Sequence, residues 1–292
     1  MQLSHAEDSD KARASNAIRG GAREFKTLLT GEEGSPGNFK LSFVRQSGEL
    51  DIPRHRHNFD QIRMCLEGER QNYGKNKWIE PGELVYFPEG TPYGPEKSAS
   101  HRLSITLQFG GASGSGYIGS ARLHAAMAEM KAFGSFANGI FVRNGALGQG
   151  QRRNQDSFEA IWEHINQRKI VYPKQRYDEP VRMKPENFEW LPLAGQSGLA
   201  AKTLGIFSER RCEIAMLRVD AGAGGTLAKR DTTTIGFVVK GGGEANGNAL
   251  RKHSAFTIER GEECALASQD GMELLMIVLP RLAGTARRRA GH

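Results

Sequence analysis

Short β runs cut at regular intervals by turn chemistry constrain this chain more than any other feature. NFKLSFVR (38–45), QIRMCL (61–66), LVYF (84–87) and RLSITLQF (102–109) are strand-like segments. Glu67-Gly68, the GKNK turn (74–77), EPGE (80–83) and PEGTP (88–92) separate them, with Trp78-Ile79 resuming after the hairpin turn. Runs of this length at this spacing predict a sandwich or barrel. The 36 glycines in 292 residues supply the turns such a fold needs and count against a helical bundle.

The pattern returns after residue 188. LEGE (66–69) matches KGGG (240–243), pairing Gly68 with Gly241 at a shift of 173. LVYFPEG (84–90) matches AFTIERG (255–261), and RLSITLQF matches ELLMIVLP (273–280), both at a shift of 171. Ordered matches at a nearly constant shift predict duplication of one β domain.

Between the two β units the chain changes character. GGASGSGYIG (110–119) is a glycine-rich connection, SARLHAAMAEMKAF (120–133) reads as helix, and QDSFEAIWEHINQRK (155–169) as a better one. Asp156 is placed to cap the second helix, with Glu159 three residues on in the capping-box pattern. Phe158, Ile161, Trp162 and Ile165 form one apolar face, expected to pack between the β units. RYDEPVRMKPENF (176–188) reads as an extended linker. The expected division is a flexible segment 1–24, a barrel 25–112, a helical linker 113–187, a second barrel 188–282 and a basic tail 283–292. The fold class is all-β dominated, two jelly-roll-like barrels joined by a partly helical linker.

Composition removes several functions. No apolar run approaches the ~18–20 residues of a membrane span. The polar start MQLSHAEDSDKARAS is no secretory signal, so a cytoplasmic protein is expected. Cys65, Cys212 and Cys264 are odd in number and far apart, which argues against a disulfide framework. Of the net charge of +7, three charges are Arg287, Arg288 and Arg289, and no stretch interleaves cations with aromatics as a nucleic-acid groove does. GSGYIG (114–119) spells a dinucleotide-binding glycine pattern, but Asn144 stands where an acid is needed and the strands before it read as antiparallel.

The chemistry concentrates in PRHRHNFDQIRMCLEGE (53–69). On a strand His55 and His57 point to one face, and Gln61 has the same parity. Two imidazoles and an oxygen donor on one face are how a β barrel holds a transition-metal ion. Asp60 has the opposite parity and is expected to face away; Cys65 is expected to pack in the barrel wall.

This stretch resembles the first motif of the cupin superfamily: glycine, His-X-His, glutamate and glycine in fixed spacing. His55, His57 and Gly68 fill their places, Gln61 stands for the glutamate, and Gly48 lies one residue too early. The second cupin motif is matched by Gly82, Pro88 and Gly90, with Tyr93 in the histidine place. The chain as a whole resembles a bicupin of the quercetin-dioxygenase type. The resemblance implies one divalent transition metal ion (Fe, Cu, Mn, Ni, Co or Zn) on His55, His57 and Gln61. Tyr93 would be the catalytic residue, Arg63, Tyr86 and Gln108 would be substrate-binding residues, and the reaction would be dioxygenase-like on a small organic molecule. A metal-free or Lewis-acid isomerase, lyase or cyclase is the alternative, and a non-catalytic binding protein the third. Arg54, Arg56 and Arg63 attract an anionic substrate if they face inward, and His101 is a rim residue or a third nitrogen. By the repeat shift, Ala228, Arg230, Thr234 and Cys264 replace the site residues in the second barrel, which is therefore structural: it completes a dimer-like interface or supplies a wall of the site. His253 is expected in a solvated turn. Homodimerisation through barrel edges is a further expectation from the resemblance.

Overall fold

The computed structural model describes residues 1–8, 14–15, 23–98 and 101–282; the Arg-rich tail lies outside them. The chain is dominated by antiparallel strands. Five strands of the first barrel lie side by side in the order 84–87, 60–68, 102–109, 39–46 and 23–30. Five of the second follow the same order: 254–258, 234–241, 272–278, 212–219 and 199–207. Smaller sheets close each barrel, among them 50–52 with 96–98 in the first and 223–227 with 264–268 in the second.

The duplication is therefore a repeat of topology, and one shift needs correcting. Gln61 faces Gln108 where Thr234 faces Val278, and Gly68 faces Arg102 where Gly241 faces Met272. The last strands correspond at 170, not 171, because a further residue is lost before the second barrel's final strand.

Each main sheet is completed by a strand from outside its own barrel. Val181–Met183 of the linker pairs with 84–87 of the first barrel, and Leu3–His5 pairs with 254–258 of the second. Two expectations are corrected here. The N-terminal segment is not loose throughout, and 176–188 is not merely a spacer; both cover exposed sheet edges, whose unpaired backbone groups favour pairing.

The two large sheets pack face to face. Ile62, Met64, Tyr86, Ile105 and Leu107 of the first meet Phe207, Ile214, Ile235, Phe237 and Leu275 of the second in one buried core. Alternation then forces the other face of the first barrel's strands inward. Lys40, Ser42, Gln46, Arg102, Ser104, Thr106 and Gln108 all project into the barrel, so its interior is polar and its outer face apolar. His253 is corrected too: it is buried at the interface, its ring 5.1 Å from Phe43 of one barrel and 5.9 Å from Phe237 of the other.

Asp60 faces this interface, away from the barrel interior. Its carboxylate accepts from Tyr86 Oη at 2.8 Å and from Glu89 N at 2.8 Å. Burial nevertheless pushes it up to about 7, with Glu89 adding to the effect. A pKa raised above the unfolded value of ~3.9 stabilises the fold fully below pH ~4, and this contribution is lost as pH rises through about 7. Asp60→Asn is expected to flatten that fall, with a gain over the wild type by pH 8, read by urea unfolding across pH 4–8. An unchanged pH slope would show that Asp60 is ionised throughout.

The linker holds helices α1 (Ser120–Met130) and α2 (Ser157–Asn166) and a three-stranded meander. Asp156 caps α2 by accepting from Glu159 N at 3.1 Å. The apolar face of α2 does not pack between the barrels: Phe158, Ile161 and Trp162 pack with Phe59, Tyr117 and α1 instead. The reason is that the inter-barrel face is already filled by the two sheets, whereas the mouth of the first barrel is open.

Candidate functional site

The interior of the first barrel holds a cavity of about 320 Å³. His55, His57, Gln61, Arg63, Tyr93 and Gln108 all line it. Ser120, Leu123 and His124 of α1 and Phe158 of α2 also line it. No residue of the second barrel does, so that barrel is an interface and not a wall of the site.

Local backbone geometry explains the grouping. His55 and Tyr93 exchange backbone hydrogen bonds, 3.0 and 2.9 Å, which sets their side chains on one face. Their ring centroids are 4.4 Å apart, and those of His55 and His57 are 5.0 Å apart. His55 Nδ1 lies 2.8 Å from Pro53 O. A carbonyl only accepts, so Nδ1 carries the hydrogen and Nε2 the lone pair of the neutral ring. His57 stacks on Phe59 at 4.5 Å, and its Nδ1 stands 3.3 Å from the Tyr93 hydroxyl.

Arg63 reorganises this centre. It is buried, stacks over Phe87 and Tyr93 at 4.7 and 5.3 Å, and pairs with the buried Glu96 at 2.8 Å. Its Nη2 donates to Tyr93 Oη at 3.1 Å. The Gln61 carboxamide is satisfied with its oxygen toward Arg63, accepting from Nε at 2.8 Å and Nη2 at 3.0 Å. Burial alone would lower Arg63 and raise Glu96. The charge of each on the other outweighs this: Arg63 moves above its ordinary value and Glu96 is held at about 2. Arg23 and Arg102 stand close by, both lowered to about 10 chiefly by burial and further by Arg63, against the pull of Glu96 and, for Arg102, of Cys65.

In this arrangement the oxygen donors of the motif are turned to Arg63 and not presented to a divalent ion. Of the four donors the motif offers, two imidazoles remain. Both oxygen donors, Gln61 and Tyr93, are taken by a guanidinium. Among the described residues no three His, Cys, Asp or Glu side chains gather in a metal-holding group.

Tyr86 is a correction. It lies in the inter-barrel core, bonded to Asp60, and does not line the cavity, because its parity is that of Ile62 and not of Gln61. His101 is exposed and outside the lining; Arg54 and Arg56 are exposed, with Arg56 over the Tyr172 ring at 4.0 Å. Sequence reasoning missed Arg23, Lys40, Glu96 and Arg102. The parity of Gln108 would have found Arg102, and its ladder partner Lys40, once Gln108 was taken to face inward.

In the second barrel Gly261 N donates to Arg230 O, as Gly90 N donates to His57 O in the first. Arg230 thus stands in the place of His57, and its guanidinium bonds to Glu213. At the place of Arg63, Gly236 leaves room for the Phe256 ring, so no counterpart of the charged centre exists there.

No family model and no curated protein matches this chain by sequence. Solved structures do match by shape. A putative dioxygenase from Nostoc punctiforme aligns over 90% of this chain and 75% of its own, with TM-score 0.58 and 10% identity. Oxalate decarboxylase from Bacillus subtilis aligns over 95% of this chain and 76% of its own, with TM-score 0.54 and 11% identity. At such identities the likeness is one of fold. No helix among the described residues is long and apolar enough to cross a membrane.

Proposed function

Starting from a chain with the two-barrel cupin fold, we propose that the first barrel binds a small organic anion and carries out proton transfer on it, as an isomerase or lyase does. The observation that carries this reading is the charge of the cavity lining: Arg23, Lys40, Arg63 and Arg102 against the single carboxylate of Glu96. A buried excess of positive charge is costly unless a ligand supplies the counter-charge. Arg63 receives the anion near Tyr93. The Tyr93 hydroxyl, between Arg63 Nη2 and His57 Nδ1, exchanges a proton with the ligand. The guanidinium steadies the charge left on the oxygen when the proton leaves. His55, with its lone pair on Nε2, is the second base. α1 and Phe158 keep bulk water from the mouth.

The test is exchange of carbon-bound hydrogen for deuterium in small carboxylic acids, followed by NMR, with binding of the same acids measured by calorimetry. Tyr93→Phe is expected to slow exchange by about 10²-fold or more while binding persists. Carboxylates binding no better than their neutral amides would sink the proposal.

A metal-dependent, dioxygenase-like reaction is the second reading. The His55–His57 pair supports it, as does the fold shared with the Nostoc protein. It requires Arg63 to release Gln61 and Tyr93. Metal analysis by mass spectrometry on protein without a histidine tag, beside His55→Ala/His57→Ala, separates the two. Under the first reading neither protein holds near-stoichiometric iron, copper, manganese, nickel, cobalt or zinc, even after reconstitution. Metal present in the wild type and absent in the variant would favour the second.

A further inference from the structure

The cavity is cationic at two separated places. At one end Arg63, Arg23 and Arg102 surround Glu96. At the other stands Lys40. Gln61 faces Gln108 across one ladder, and Gln108 faces Lys40 across the next. With neighbouring strands about 4.8 Å apart, the backbone of Lys40 lies about 10 Å from that of Gln61. Lys40 lines the cavity beside Ser120 and His124 of α1, and its Nζ donates to Ser120 Oγ. Among the described residues it pairs with no carboxylate.

The surroundings of Lys40 are those of a cation awaiting a partner. Burial pulls its ammonium down to about 8, and no acid opposes the shift. His124 beside it is lowered by burial and by Lys40. The Lys40 ammonium is half-buried, with the Ser120 hydroxyl and the Phe25 ring, 6.0 Å away, for company, and a cation so placed without counter-charge is retained at a cost. Between the two cationic places the lining carries Ser42, Thr106 and Gln108, neutral groups that donate and accept hydrogen bonds.

Building on the proposal that this cavity holds an organic anion, we infer that the ligand carries two anionic groups. One is received by Arg63 with Arg23 and Arg102, the other by Lys40, and a short carbon chain joins them. The ligand class is a dicarboxylate of several carbons, and Lys40 is the residue that selects it over a monocarboxylate.

Calorimetry on the full chain tests this with the saturated dicarboxylates from malonate to adipate, each beside the monocarboxylate of equal length. At least one dicarboxylate is expected to bind about tenfold or more tightly than its monocarboxylate partner. Lys40→Met is expected to bring that ratio down to about one, the dicarboxylate losing more affinity than the monocarboxylate, and Lys40→Arg to keep it. Equal binding of the two classes by the wild type, or a ratio that survives Lys40→Met, overturns the second anion site while leaving the anion reading standing. Binding of neither class overturns the anion reading and this inference with it.

Discussion

Arg63→Leu is expected to destabilise the protein by about 3–5 kcal/mol and to abolish anion binding. The side chains of Arg63 and Glu96 are only 7% and 0% exposed, and their 2.8 Å pair is the innermost charge of the barrel. Without the guanidinium, Glu96 keeps Arg23 as a charged neighbour but loses its direct hydrogen bond. Glu96 Oε1 already has no hydrogen-bond partner, so the carboxylate of the variant is buried and poorly served. Removing both charges together is far milder, since a buried pair replaced by apolar side chains often costs little. Arg63→Leu/Glu96→Leu should therefore recover most of the loss in denaturant unfolding. The pH dependence has a definite sign. A folded pKa of about 2, below the unfolded value of ~4.3, gives Glu96 a stabilising role above pH ~4 that is lost as pH falls toward 2. The gap between wild type and Arg63→Leu should thus narrow in acid. A gap that stays constant down to pH 2, or a single-variant loss under about 1 kcal/mol, would show that Arg23 suffices for Glu96.

Gly68→Ala and Gly241→Ala should each cost on the order of 2–4 kcal/mol. The two glycines hold the same turn in the two barrels, at φ +89° and +72°. A Cβ at Gly68 would drive into the carbonyl oxygen of His101, and one at Gly241 into that of Gly271. Both neighbours are backbone atoms immediately before the adjoining strand, so relief means moving the start of that strand. Gly261→Ala separates the two contributions. Its φ is +80°, but a Cβ there meets nothing within 4 Å, so only the left-handed backbone penalty of about 1 kcal/mol remains. Equal losses at all three sites in thermal or denaturant unfolding would mean that strain alone, and not the close approach, fixes the first two.

The turns were legible in the sequence because glycine, proline and asparagine specify backbone angles locally. Gly68 and Gly241 mark the repeat, and Asp156 caps α2, without knowledge of anything distant. The gathering of His55, His57, Gln61 and Tyr93 was legible through motif spacing, which is a compressed statement of strand parity. Tyr86 shows where parity fails without register. Its strand is short and apolar throughout, LVYF, and buried on both faces, so alternation gave no sign of which residues face the cavity.

By itself, the sequence determined two β units in a fixed order, the turns between their strands, the capped helix of the linker and the side-chain set on one strand face. Tertiary structure decided what that set can do. Arg63 was visible as one of three nearby arginines, and only burial beside Glu96 turned it into the charge that occupies Gln61 and Tyr93. Arg23, Lys40 and Arg102 come from strands far along the chain, and their convergence is set by ladder register. The outer face of the first barrel is apolar because a second barrel covers it, which leaves the interior to the polar residues. That inversion depends on the packing of two sheets against each other, and no local pattern encodes it.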